Sequence, residues 1–370
     1  MGIWCSPLEK LVRPVKNASE KFWHGKRILL TGHTGFKGAW LGIWLNRMGA
    51  QVTGISLPPT SNPNLFSLAN IDALTDSHFI DIRNADALSN VIEKTKPEIV
   101  FHLAAQALVR ASYKDPLATL ATNVMGTANV LNALLKIDTT KVVVAVTTDK
   151  VYENLESGHP YKEYDKLGGY DPYSASKAAA EIVISCYRNS FLKQAGIALA
   201  SARAGNVIGG GDWSEDRLIP DAIRAWTSDS PLLIRNPNAV RPWQHVLEPL
   251  NGYLLLAEKL YEDPSLAKAY NFGPNTHEAA TVGDVIKLAN GIFGSGNIVW
   301  GEGINGPHEA GLLTLDTSKA RVVLGIKPRW ALHESVSRTM EWYKKLNSNH
   351  TAYSLCDADI SAFIDTKISS

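Results

Sequence analysis

Six short apolar runs, separated by stretches of helical periodicity, limit what this chain can become more than any other feature. They are RILLTG (27–32), AQVTGIS (50–56), HFIDI (78–82), EIVFHLA (98–104), KVVVAVT (141–147) and IALASARAG (197–205), with helical patterns at 36–48, 85–94, 117–135 and 173–193. A near-continuous apolar strand must be covered on both faces, and strands joined through helices run parallel. The alternation therefore predicts an α/β fold, a doubly wound parallel sheet that binds ligands beyond the carboxyl ends of its strands.

After Asn206 the rhythm changes to segments rich in Gly, Pro and Trp, such as GGGDW and NPNAVRPWQHV, mixed with helical patterns near 248–261, 282–293 and 332–345. These predict a smaller C-terminal substrate-binding lobe laid over the sheet's carboxyl edge. The chain then divides into an N-terminal arm (1–26), a dinucleotide-binding part with the catalytic residues (27–205), a lobe interleaved with it (206–346) and a weakly patterned, loosely attached tail (347–370).

Charge and cysteine content narrow the partners. Lys plus Arg number 37 against 36 for Asp plus Glu, so no bulk charge draws the chain to nucleic acid or a membrane surface. Cys5, Cys186 and Cys356 are far apart and unaccompanied by His clusters, which excludes a disulfide framework and a zinc site and suits a reducing, cytoplasmic setting. No metal is expected. No apolar run is long enough to span a bilayer, and the opening residues lack the apolar core of a signal peptide. The opening MGIWCS matches a myristoylation pattern, with Cys5 as a second acylation site; a frayed arm is the plainer reading of so short a pattern.

LLTGHTGFKGAWL puts Gly32, Gly35 and Gly38 between a strand and a helix, which is the context that gives a glycine pattern meaning. The first permits a tight turn, the second lets a pyrophosphate approach the backbone, and the third lets helix and strand pack closely. Thr34 and Phe36 complete this Rossmann turn. The second strand should end on an acid for the adenosine ribose, but GISLPPTSN has none, and no Arg for a phosphate either, so this position does not decide between NAD and NADP. Asp81 and Ile82 close the third strand, where Asp81 is placed to hold the adenine edge or to cap the helix from Asn84. Leu103, Ala104 and Ala105 are small or apolar enough for a ribose to lie against the backbone. Asn123 falls mid-helix, where a buried amide needs partners and can organise nearby backbone.

YDPYSASK places Tyr173 and Lys177 one helical turn apart on one face. A phenol is a poor base at its ordinary pKa of about 10, but a neighbouring ammonium and an oxidised nicotinamide both favour the phenolate. That pair suits removal of a hydroxyl proton while a cofactor takes the hydride, with Thr148 as hydrogen-bond partner.

The glycine turn, the strand-end hydroxyl of Thr148, and Tyr173 with Lys177 together resemble the extended short-chain dehydrogenase/reductase family over nearly all of 27–346. Within it, GHTGFKGAWL, RAGNVIGGGDW and VRPWQHVLEPLNGYL resemble the sugar-nucleotide 4,6-dehydratases. The resemblance implies NAD as cofactor, CDP-glucose or a closely related sugar nucleotide as substrate, and a homodimer, or a dimer of dimers, paired through the helices at 117–135 and 173–193. It also implies oxidation at C4, loss of water across C5 and C6, and return of the hydride to C6. The product would be a 4-keto-6-deoxy sugar nucleotide, a deoxysugar precursor for bacterial surface lipopolysaccharide.

Asp149 matches the family's acid, and Lys150 stands where related dehydratases carry a glutamate. Lys150 is then either the C5 base, which requires a neutral amine, or an electrostatic stabiliser of the enolate. Neighbours on a strand point to opposite faces, so a loop is needed for both side chains to reach one sugar. Asn206 matches a position contacting the substrate diphosphate, and Arg241 resembles the phosphate-binding arginine; Arg235 flanks NPNAV on what reads as a hairpin. Arg217, Leu218 and the His308–Glu309 pair complete the substrate candidates. An epimerase would need neither Asp149 nor Lys150, and a non-catalytic dinucleotide sensor would have no use for the reacting set.

Overall fold

The computed structural model describes residues 18–301, 311–346, 348 and 350–366. Strands β1 (Arg27–Thr31), β2 (Gln51–Ser56), β3 (Asp76–Phe79), β4 (Ile99–His102), β5 (Val142–Val146), β6 (Ala198–Ala204) and β7 (Ala269–Phe272) form one seven-stranded sheet. All neighbours are parallel, in the order β3-β2-β1-β4-β5-β6-β7. The strand order reverses between β1 and β4, so the crevice beyond their carboxyl ends is where such a sheet receives a ligand.

The apolar runs are explained by a core on each face. Ile28 and Leu30 of β1 and Val142 and Val144 of β5 join one, while Leu29, Val143 and Ala145 join the other. On β6 the residues facing the first core are Ala198, Ala200, Ala202 and Ala204, small enough for the helix Leu247–Glu262 to lie close across them. Leu250, Tyr253 and Leu254 of that helix are fully buried. The same face holds Trp23, Trp40 and Trp44, and truncating such a core indole costs about 3–5 kcal/mol.

Several elements depart from the sequence reading. β7, which brings the C-terminal half of the chain back into the sheet, was not foreseen. The expected helix at 117–135 is a succession of Pro116–Leu120, a wide π turn at Ala121–Gly126, and Thr127–Ala133. Residues 18–26 of the expected arm are packed: Trp23 is fully buried and its indole donates to Glu258 at 2.7 Å. The expected loose tail contains the helix Ala352–Asp365, capped by Thr351, whose Leu355, Cys356, Ile360 and Phe363 are buried. Phe363 meets Trp44 and Trp330 edge to face, so aromatic contact holds a helix whose own sequence pattern is weak. The hairpin expected around NPNAV is not formed. Leu232–Ile234 pairs with Ile298–Trp300, and Val240–Arg241 with Ala280–Thr281.

Candidate active site

A cleft of about 970 Å³ opens at the carboxyl ends of β1, β4 and β5, with the segments from 204 to 243 as its opposite wall. One end is the glycine turn. Gly32 has φ +80°, and a Cβ there would lie 2.7 Å from the Ala104 nitrogen. Gly38 is more constrained still, since a Cβ would lie 2.0 Å from the Gly32 carbonyl oxygen. The helix Phe36–Arg47 begins at Gly35 with no side chain capping it, so its first amides face the cleft as anion donors. Bare glycines, an uncapped helix of twelve residues and the small Ala104 and Ala105 wall together fit a dinucleotide. Gly38→Ala is expected to push helix and turn apart and weaken NAD binding at least about tenfold, measured by calorimetry, because no flexible side chain is there to yield.

Hydroxyls and amides rather than acids organise this end. Thr34 Oγ1 is 2.8 Å from the Ser56 hydroxyl and donates to the Leu57 carbonyl at 2.9 Å, which fixes the end of β2 where the expected acid is missing. Thr31 Oγ1 accepts from the amides of Leu103 and Ala104 at 3.2 and 3.1 Å, locking β4 to β1. Asp81 lines the cleft, but its carboxylate is engaged by Arg83 at 2.6 Å, which holds it below the usual carboxylate range. The helix cap there is Asn84, which accepts from the Ala87 amide at 3.1 Å.

Asn123 is not among the residues that line the cleft; it holds nearby backbone instead. Its carbonyl accepts from the Gln106 amide at 2.8 Å, and its amide donates to the Gln106 carbonyl at 3.0 Å and to Ser176 Oγ at 2.8 Å. Every polar group of this buried side chain is spent joining the loop after β4 to the helix Pro172–Tyr187. It sits in the π turn, whose wider winding delivers the amide inward.

The reacting end gathers on that helix and on the turn after β5. Asp171 caps the helix, accepting from the Ser174 amide at 2.9 Å, and Pro172 occupies its first position. Tyr173 then faces the cleft, hydrogen bonded to Thr148. Burial pushes its phenol up to about 12. Lys177 is buried one turn on, donating to the Val146 carbonyl at 3.0 Å, and burial brings its ammonium down to about 8. Thr148 caps a 3₁₀ turn at Asp149–Val151, and this turn, not a strand, is what lets both Asp149 and Lys150 line the cleft.

Asp149 accepts from Thr148 Oγ1 at 3.0 Å through Oδ1, while Oδ2 is buried with no partner among the described residues. Burial raises its pKa, against the opposing pull of Lys150, Arg241 and Lys37. A buried carboxyl with a raised pKa and one open oxygen is suited to hold and deliver a proton.

Asn206, Arg217, Leu218, Arg235 and Arg241 all line the facing wall. Arg241 is buried and donates to the carbonyls of Val240 and Gly311 at 2.9 and 3.2 Å. Arg217 lies 3.8 Å from Asp212, and Arg235 lies 3.5 Å from Asp216. His308 and Glu309 lie outside the described residues, as does Cys5.

Two cations in the cleft were missed. Lys37 reaches the Asp149 neighbourhood, its ammonium brought down to about 8 by burial and by Arg217 and Lys177. A lysine in the first turn of a helix opposes the macrodipole, and that mismatch was the available signal. Arg110, in the short helix Val109–Lys114, lies 3.6 Å from Asp216 and faces Arg235 across it.

A dinucleotide cradle and a tyrosine–lysine helix that share one cleft define a hydride-moving enzyme of the short-chain dehydrogenase/reductase type. The chain belongs to the GDP-mannose 4,6 dehydratase family, whose profile matches residues 29–339. It is 48% identical over 331 residues to the CDP-glucose 4,6-dehydratase of Salmonella typhimurium strain LT2, covering 88% of this chain and 92% of that protein. It is 24% identical over 335 residues to the dTDP-glucose 4,6-dehydratase of Xanthomonas campestris pv. campestris strain ATCC 33913, covering 85% of this chain and 92% of that protein. Among solved structures, the UDP-glucuronic acid 4-epimerase of Bacillus cereus, in complex with UDP-glucuronic acid and NAD, superposes with a TM-score of 0.75 at 24% identity, covering 86% of this chain and 99% of that one. The dTDP-glucose 4,6-dehydratase of Bacillus anthracis, in complex with NAD, superposes with a TM-score of 0.73 at 22% identity, covering 88% and 98%. The two structures share the fold.

Proposed function

We propose that this protein is an NAD-dependent hydro-lyase that converts CDP-glucose to CDP-4-keto-6-deoxyglucose and water. The observation that carries the reading is a buried Asp149 with one open carboxylate oxygen and a raised pKa, beside Lys150, in the cleft that holds Tyr173 and Lys177. An epimerase or simple dehydrogenase needs the second pair alone.

NAD, when bound, supplies a hydride acceptor that later gives the same hydride back. The chain's own groups do the proton work. Tyr173, held by Thr148 and electrostatically assisted by the Lys177 ammonium, takes the proton of the C4 hydroxyl. The C4 ketone makes the C5 proton acidic, and Lys150, as a neutral amine, removes it. Asp149 Oδ2 protonates the departing C6 hydroxyl, which leaves as water. Lys150 then returns a proton to C5 as the hydride is returned to C6. Asn206 and Arg241 hold the diphosphate, with Arg217 and Arg235 nearer the nucleoside; a planar guanidinium fork suits phosphate oxygens. The cofactor part is 27–205, and the wall from Asn206 onward is the substrate part.

The enzyme works as a homodimer. Leu117, Met125 and Ile182 are exposed by 77%, 58% and 62% on neighbouring helical segments, an apolar set that a second copy would cover. Light scattering at micromolar concentration is expected to return twice the chain mass or a multiple of it, and a monomer mass would contradict the pairing. We place the enzyme in the cytoplasm, where free thiols such as Cys186 and Cys356 stay reduced.

The function is tested by offering the protein and NAD equal amounts of CDP-, UDP-, dTDP- and GDP-glucose and weighing the products. Loss of one water from the CDP sugar ahead of the others is expected; unchanged CDP-glucose would overturn the reading.

A further inference from the structure

A buried ion pair lies behind the reacting segment, outside the cleft. Glu181 is one turn beyond Lys177 on the helix Pro172–Tyr187, and Arg203 is on β6. Their side chains are 3% and 4% exposed. Arg203 Nε donates to Glu181 Oε1 at 3.0 Å and its terminal nitrogen Nη2 donates to Oε2 at 2.8 Å, a fork-to-fork pair.

What the pair does with its remaining capacity is unusual. Glu181 Oε1 accepts the hydroxyl of Thr147 at 2.5 Å, and Oε2 accepts that of Ser201 at 2.8 Å. The other terminal nitrogen of Arg203, Nη1, donates to the Tyr152 hydroxyl at 2.8 Å and to the Glu163 carbonyl at 3.1 Å. The guanidinium also sits 5.0 Å from the Tyr152 ring centre, and the Tyr152 hydroxyl donates onward to Asn271 Oδ1 at 2.7 Å. Thr147 and Tyr152 are the two residues that bracket Thr148, Asp149, Lys150 and Val151. One end of the reacting segment is therefore gripped by the carboxylate and the other by the guanidinium.

We propose that Glu181 and Arg203 are positioning residues, a clamp that holds both ends of the segment Thr147–Tyr152 against the helix of Tyr173 and Lys177. The clamp keeps the elimination groups, Asp149 and Lys150, in register with the oxidation groups. This rests on the dehydratase reading, in which two sets of groups act in turn on one bound sugar. Stability alone is a poor reason for such a pair, because desolvation of two buried charges offsets most of their attraction, and apolar residues of similar size do as well. Register is a better reason. The oxidation pair is carried by one helix of sixteen residues, whereas the elimination pair is carried by a single three-residue 3₁₀ turn.

Glu181→Gln would leave a buried guanidinium unpaired and endanger folding. The grips are cut instead: a Thr147→Val, Tyr152→Phe double variant removes both hydroxyls while the ion pair and side-chain volumes stay. Two measurements are made. In the protein without cofactor, amide hydrogen exchange at 148–151 is expected to accelerate about tenfold while the helix 172–187 and β5 are unchanged. In the protein with NAD and CDP-glucose, oxidation at C4 in a single turnover is expected to fall by no more than about threefold, through the loosened Thr148 beside Tyr173, while formation of the 6-deoxy product falls about tenfold to a hundredfold. The 4-keto sugar and the near-ultraviolet absorbance of reduced cofactor then accumulate.

Equal losses in oxidation and elimination would overturn the clamp, as would faster exchange with an unaltered ratio, or unaltered exchange. If the unmodified protein itself leaves CDP-glucose untouched, the dehydratase reading fails separately, and the exchange measurement still decides whether the pair holds the segment.

Discussion

Tyr173→Phe lowers turnover of CDP-glucose by about 10³-fold while leaving the thermal midpoint unchanged. The ring stays half-buried in the cleft wall, so little packing is lost, but the group that takes the C4 hydroxyl proton is gone. Burial holds the free phenol at about 12, so the residue is a base only where positive charge lies beside it. Arg217 supplies such charge from the facing wall, and Lys177, one turn along the same helix and tethered to the Val146 carbonyl, is the nearby ammonium the proposed mechanism uses. Its own ammonium, brought down to about 8, is lost as pH rises through that value. The variant's defect is therefore expected in the first oxidation, read as absence of near-ultraviolet absorbance in a single turnover. A variant that oxidises C4 at the normal rate would contradict the assignment.

Lys150→Arg produces a different failure. Arginine keeps the positive charge and nearly the length of lysine but does not give up its proton, so it can stabilise an enolate and cannot act as a base. The first oxidation is expected to proceed, whereas formation of the 6-deoxy product falls about 10³-fold and solvent deuterium no longer enters at C5. Lys150→Met should behave alike. If the arginine variant instead keeps most of the activity that the methionine variant loses, Lys150 works through its charge and not through its proton.

The glycine turn and the Tyr173–Lys177 pair were legible because each depends on local spacing along one turn or one helix. The parallel sheet was legible for a related reason: strands buried on both faces write themselves as apolar runs. What escaped depends on contacts between distant segments. β7 is four residues, AYNF, with no alternation, and only its neighbour β6 makes it a strand. The helix Ala352–Asp365 is held by aromatic contacts with Trp44 and Trp330, which no local pattern announces.

The hairpin expected around NPNAV was a local guess overridden by two distant partners, 280–281 and 298–300. That Asn123 needs partners was legible from a buried amide in mid-helix, but which backbone it holds, that of Gln106, depends on the loop after β4. The clamp residues could not be read at all. Glu181 looks like one more polar residue on a helix until β6 brings Arg203 against it.

The central claim is that one cleft oxidises a sugar, removes water from it, and returns the same hydride two carbons away. The most direct test is to offer the protein with NAD CDP-glucose carrying deuterium at C4, and to locate the label in the product by mass spectrometry and NMR. The account predicts loss of one water and deuterium recovered at C6. Deuterium retained at C4, or lost to added cofactor with no water eliminated, would contradict it.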